Sequence, residues 1–128
     1  LRKLAHIKPS KILSGVNLAK EALPYFQNKQ YAKAASYYLE AAKEDPMEYS
    51  YLENAATCFY QLKDYGNSML YSSKVIISLN PGTGKSEYLH GISKIAMGDL
   101  KGGCNFISKA IELNYKEALV TQKQFCIN

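Results

Sequence analysis

Pro81-Gly82-Thr83-Gly84-Lys85-Ser86 is the stretch of this chain whose residue types most invite chemistry. Paired glycines followed by a lysine and a hydroxyl are parts of a loop that cradles phosphate, with backbone N–H groups, an ammonium and a magnesium-binding oxygen. The apolar run 75–79 before it resembles the strand that carries such a loop. The full pattern needs a glycine five places before Gly84, where Leu79 stands, and no apolar run ending in a metal-binding aspartate follows. In addition, Ser73-Lys74-Val75-Ile76 echoes Ser108-Lys109-Ala110-Ile111, so the run reads better as the end of a helix. The loop is expected to be an inter-repeat turn, its glycines ending one helix and Ser86 lying near the start of the next.

Other reactive groups are few. His6 lies in a basic N-terminal stretch and His90 in a helical pattern, and neither has an acid or nucleophile at a spacing that defines a catalytic set. Cys58, Cys104 and Cys126 are odd in number and lack C-x-x-C spacing, so the expectation is buried free thiols, with no metal site and no disulfide framework. That favours a reducing, cytoplasmic setting, with periplasmic or membrane-tethered placement left open. No catalytic residue, metal or cofactor is expected.

Charge is uneven along the 128 residues. Arg2, Lys3, Lys8, Lys11 and Lys20 precede the first acid, Glu21, and carry the whole net charge of +5; beyond them eleven lysines balance eleven acids. A neutral body disfavours a nucleic-acid surface spread over the fold. The arm is expected to be a solvated lead-in, with contact to a membrane surface or an acidic partner as the alternative. No run approaches the roughly 18 apolar residues of a membrane span. No signal-peptide pattern stands at the start, and a chain beginning at Leu1 leaves room for a longer protein.

The elements that must position these groups recur at a fixed period. Ala22, Tyr31 and Ala34 are followed 34 residues later by Ala56, Tyr65 and Ser68, and 35 later again by Gly91, Leu100 and Gly103. Small residues twelve apart suit two antiparallel helices that approach to roughly 8–10 Å at one crossing point. Tyr31, Tyr65 and Leu100 would close the open end of each pair. Helices are expected to start between Ser10 and Ser14 and then to cover about 31–44, 48–62, 65–79, 86–97, 100–113 and 116–127, with Pro24 bending the first.

These residues resemble the tetratricopeptide repeat (TPR), a 34-residue helix pair. With Gly15 as position one, Leu18, Ala22, Tyr25, Ala34, Tyr38, Ala41 and Pro46 fall on positions suited to the family. A second unit from Tyr49 supplies Leu52, Ala56, Phe59, Ser68 and Val75, with one extra residue before Pro81. A third from Gly84 supplies Gly91, Gly103, Ile107 and Ala110. The resemblance implies an all-α, right-handed helical-repeat array. Residues 1–14 would be the basic arm and helix lead-in, and 15–128 the repeat domain: units of about 15–48, 49–83 and 84–117, then a final helix 116–127 that either caps the array or begins a truncated fourth unit.

The resemblance also implies a function. TPR arrays hold a peptide or helix in the concave groove lined by the first helix of each pair. Here that groove would offer Lys20, Leu23, Phe26 and Gln27, then Glu53, Asn54, Thr57, Tyr60 and Gln61, then Lys85, Tyr88 and Ile92. One version of the fold grips acidic chaperone tails with lysines and asparagines, at places held here by Ala19, Leu23, Asn54, Lys85 and Leu89. Only Asn54 and Lys85 match, so an amphipathic or apolar segment is the expected ligand. In the fifth helix Glu87, His90 and Lys94 fall on core positions, while Tyr88, Leu89, Ile92, Ile95 and Ala96 form a stripe. Either the helix is rotated, or the stripe faces the groove under a cover supplied by Leu119 and Phe125. A protein-interaction scaffold is the leading reading. A structural segment that self-associates through the C-terminal helix is the second, and a nucleotide-binding enzyme is remote. No nucleic acid or small-molecule substrate is expected.

Overall fold

Lys29, Lys63 and Gly98 share left-handed backbone, with φ of 62°, 62° and 96°, at intervals of 34 and 35 residues. Each ends a helix through the same two hydrogen bonds. The N–H groups of Lys29 and Gln30 reach the carbonyls of Phe26 and Tyr25; those of Lys63 and Asp64 reach Tyr60 and Phe59; those of Gly98 and Asp99 reach Ile95 and Lys94. A left-handed residue closing paired bonds of this kind satisfies the last carbonyls and reverses the chain. The next helix follows at once. Asp64 and Asp99 cap it by accepting from the N–H groups of Asn67 and Gly102.

The computed structural model describes residues 6–127. Among them are seven helices and no strand: α1 (Pro9–Gln27), α2 (Tyr31–Glu44), α3 (Tyr49–Gln61), α4 (Tyr65–Lys74), α5 (Lys85–Ala96), α6 (Leu100–Glu112) and α7 (Glu117–Thr121). Consecutive helices pack in order from α1 to α7, and α3 also touches α5. The first helix begins earlier than the serines at 10 and 14 suggested, because Pro9 occupies its first turn, where a missing N–H costs nothing. Pro24 falls in the final turn of α1.

The extra residue of the second unit has a physical home. Beyond Lys74 the chain stays helical as a wider π turn over Val75–Leu79, closed by the Asn80 N–H on the Val75 carbonyl. One inserted residue in a helix is commonly absorbed in this way. Asn80 then turns left-handed, with φ of 44°, and ends the element. A second π turn, Gln122–Cys126, extends α7.

Small residues meet at the crossings. Ala22, Ala34, Ala56 and Ser68 have no exposed surface, and Ser93 donates to Ser68 across α5 and α4 at 3.1 Å. The tyrosines fill the flanks in register. Tyr25 stacks on Tyr37 at 5.7 Å, and 34 residues on Phe59 stacks on Tyr71 at 5.6 Å. Such offset pairs add about 0.5–1.5 kcal/mol beyond area burial.

Helix α5 keeps the register of its predecessors. Glu87 is buried, His90 lies 3.1 Å from the Ser72 hydroxyl and packs on the Phe106 ring, and Lys94 pairs with Asp99 at 3.4 Å. Leu89, expected in the groove-facing stripe, is instead buried at 4% exposure. Tyr88, Ile92 and Ile95 share a cluster with Tyr115, Ala118 and Cys126. Of the two residues expected as cover, Phe125 lines the groove beside the stripe while remaining half exposed, and Leu119 is half exposed outside that lining.

The cysteine expectation needs correction. Cys104 on α6 and Cys126 at the end of α7 form a disulfide, with Cα atoms 5.6 Å apart; only Cys58 is a free buried thiol. Odd number and spacing could not show that the last helix folds back beside α6. With the bond goes the argument from free thiols for a reducing compartment. Of the expected basic arm, Arg2 and Lys3 lie outside the described residues. Lys8 immediately precedes α1, and Lys11 pairs with Glu44 at 3.3 Å.

Candidate functional site

The loop that resembled a phosphate cradle already faces an anion. Glu53 on α3 is 4% exposed, and its Oε2 accepts from the Thr83 hydroxyl at 3.1 Å and the Ser86 hydroxyl at 2.9 Å. Lys85 Nζ turns to Asn54 Oδ1 at 3.5 Å. Gly84 has φ of 81°, and a Cβ there would lie 2.8 Å from Tyr115 Cβ. Its glycine therefore serves a close approach to the α6–α7 turn. The hydroxyls and the lysine that would hold a nucleotide are bound to α3, and the loop acts as a clasp between the second and third helix pairs. Among the described residues no cluster of three metal-ligating side chains occurs.

Beside this clasp lies a groove of about 580 Å³. Its floor is Tyr60 of α3 with Tyr88, Ile92, Ile95 and Ala96 of α5. Its far wall is the terminal helix and its π extension, through Glu117, Val120, Thr121, Gln124 and Phe125. Two ring pairs fix the floor. Tyr60 packs on Tyr65 at 5.5 Å and Tyr88 on Tyr115 at 5.1 Å. Burial first, then the neighbouring Tyr65 and Tyr88 hydroxyls, raise the Tyr60 pKa, which keeps its phenol neutral and available as a hydrogen-bond donor. Val120 is 67% and Phe125 47% exposed, so apolar surface stands open along that wall.

The twelve expected groove residues divide. Tyr60, Tyr88 and Ile92 meet in the groove. Asn54 and Lys85 pair with each other at 3.5 Å and are not part of the groove lining. Glu53 is withdrawn into the clasp, and Thr57 donates to the Glu53 carbonyl of its own helix at 2.9 Å. Phe26 packs edge-on against Tyr31 and Tyr38 as part of the first core. Lys20, Leu23, Gln27 and Gln61 are exposed helix surface outside the groove lining. Ile95 and Ala96 of the expected stripe and Phe125 of its expected cover also line the groove, whereas Glu117, Val120, Thr121 and Gln124 were named by no sequence reading. Those four belong to the terminal helix and its π extension, whose folding back set which of its side chains face the groove.

No protein-family model matches the chain, and neither does any curated protein sequence. Solved structures do. The TPR domain of Arabidopsis OM64 aligns with a TM-score of 0.84 at 20% identity, over 90% of this chain and 96% of that one. The first TPR domain of human RPAP3 aligns at 0.81 and 20%, over 89% and 91%. The first TPR of Spaghetti (RPAP3), bound to the HSP90 peptide SRMEEVD, aligns at 0.81 and 20%, over 88% and 90%. The chain has the tetratricopeptide-repeat fold, an all-α helical-repeat array.

Proposed function

We propose that this protein is a non-catalytic interaction module that holds an amphipathic helical segment of a partner protein, apolar face inward, in the groove between α3, α5 and α7. One observation carries the reading: a groove of about 580 Å³ floored by Tyr60, Tyr88, Ile92 and Ile95 and walled by Val120 and Phe125, on a fold whose solved relatives include a peptide complex. Amphipathic helices are recognised in such grooves by apolar anchors spaced three and four residues apart.

An acidic tail of the kind bound by the Spaghetti TPR is a poor match for this groove. Two carboxylates need several fixed cations or amides, because a desolvated charge left unpaired is costly. This chain presents Lys85, already at Asn54, and Glu117 on the opposite wall adds charge of the wrong sign. Ala19 and Leu23 supply no donor. The test is fluorescence anisotropy with two labelled probes: an amphipathic helical peptide bearing Leu and Phe on one face, and the acidic peptide SRMEEVD. The helical probe should bind with a Kd in the micromolar range and the acidic one much more weakly. Micromolar binding of SRMEEVD that is lost in Lys85→Ala would overturn the assignment.

A second reading, self-association through the terminal helix, is favoured by Leu119 at 48% and Ile127 at 61% exposure. Sedimentation equilibrium separates the two: a monomer at high concentration removes the second.

A further inference from the structure

The far wall of the groove is held by a covalent bond that can be opened. We propose that the Cys104–Cys126 disulfide is a redox latch on this groove: a dithiol reductant releases the α7 wall and weakens partner binding. The inference rests on the groove reading above.

Four observations support it. The wall is a short element, Glu117–Thr121 plus the π turn Gln122–Cys126, and an isolated helix of that length is marginal in water. Its buried side chains are small, Ala118 and Thr121, while its large apolar residues Leu119, Val120 and Phe125 are exposed. Little apolar burial therefore holds it in place. The disulfide ties its far end to α6, and Cys126 directly follows Phe125, which lines the groove. At its near end a turn provides a pivot: Asn114 is left-handed with φ of 68°, and Tyr115 is fixed by its N–H to the Ala110 carbonyl and its ring on Tyr88. With the bond cut, the segment after Tyr115 keeps its pivot and loses its anchor.

Both half-cystines are partly exposed and within reach of a thiolate. One thiolate of the dithiol attacks a cystine sulfur, forms a mixed disulfide and expels the other cysteine as a thiolate, which takes a proton. The second thiol then attacks the mixed disulfide and frees the remaining cysteine, which also takes a proton. Two electrons and two protons pass to the protein, and the dithiol leaves as its own disulfide. Cys58 takes no part: it is fully buried, and burial pushes its thiol up to about 12.

The experiment has two arms on the full chain. Hydrogen exchange read by mass spectrometry compares the oxidised chain with the chain treated with dithiothreitol, a gain of two hydrogens in intact mass confirming reduction. Amides of residues 118–126 should lose protection by about tenfold or more while α1–α4 hold theirs, and protection should return on reoxidation with diamide. In the second arm the labelled amphipathic helix should bind about tenfold more weakly to the reduced chain. The Cys104→Ser/Cys126→Ser chain should behave as reduced without any reductant. Unchanged exchange at 118–126 after confirmed reduction overturns the latch, and so does equal affinity of the oxidised and reduced chains. If the oxidised chain does not bind the helix, the groove reading falls, and the exchange arm alone decides whether the bond holds the wall.

Discussion

Gly91 and Gly103 lie back to back where α5 crosses α6: a Cβ on Gly91 would sit 2.9 Å from the Gly103 carbonyl oxygen, and one on Gly103 would sit 2.7 Å from that of Gly91. The Ile107 and Ile95 side chains crowd the same two positions, and moving them aside would still leave a backbone carbonyl in contact at each. Gly91→Ala and Gly103→Ala should each destabilise the fold by about 1–3 kcal/mol, despite the roughly 1 kcal/mol that alanine gains over glycine in a helix. Urea midpoints provide the measure. A net gain in stability would mean that the two helices separate without cost. Ala56→Leu, at the equivalent and fully buried crossing of α3, should lose a similar amount.

Glu53 joins two helix pairs through the hydroxyls of Thr83 and Ser86. Glu53→Ala leaves both donors facing a space with no acceptor and should cost about 1–3 kcal/mol. Glu53→Gln keeps one acceptor oxygen and should cost less. Denaturant melts of the two variants check the order, and equal losses would show that the carboxylate acts by volume alone.

His90 gives the third prediction its sign. Burial, and after it the nearby Lys94 charge, hold its folded pKa below the ordinary value. The unfolded chain therefore binds the proton more readily. Stability is complete above the unfolded pKa, roughly 6.5, and falls as pH drops from there towards the lowered folded value. Thermal melts between pH 7.5 and 5.5 should show this loss, and His90→Gln, which keeps a partner for the Ser72 hydroxyl, should flatten the slope. An identical slope in the variant would exclude His90 as its source.

How far the sequence carried depended on whether a signal was periodic. Small residues at 22, 34, 56, 68, 91 and 103 recur, so the helix pairs and the crossing at Gly91–Gly103 were legible in advance. The echo of Ser73–Ile76 in Ser108–Ile111 was enough to read Val75–Leu79 as helix. It could not show that the inserted residue becomes a π turn, because that depends on where the ladder gives way locally. The terminal helix has no repeat partner in the chain. Its disulfide, and the choice of Val120 over Leu119 beside Phe125 in the groove wall, arise from packing against α5 and α6. Glu53 was misplaced for a related reason: its helix position faces the groove, but the clasp loop reaches over and takes its carboxylate.

The two ends of the expected binding surface make the sharpest test of the groove. Leu23 is 47% exposed on α1, and the groove lining begins only at Tyr60 and ends at Phe125. Tyr88 is the aromatic member of the α5 lining, with its ring packed on Tyr115 and Ile92 one turn further along α5. Buried aromatic anchors carry most of the energy of an interface, and contacts at the rim carry little. Tyr88→Ala should therefore weaken the amphipathic helix by about tenfold or more, equivalent to about 1.4 kcal/mol, whereas Leu23→Ala should change it by less than about threefold. Val120→Glu, which places charge on an exposed wall residue without disturbing the core, should weaken it to a comparable extent and leave the melting temperature unchanged. Anisotropy titrations of the three variants, each with a circular-dichroism melt, provide the comparison. Loss of binding in Leu23→Ala together with unaltered binding in Tyr88→Ala would move the site from the α3–α5–α7 groove to the face of α1.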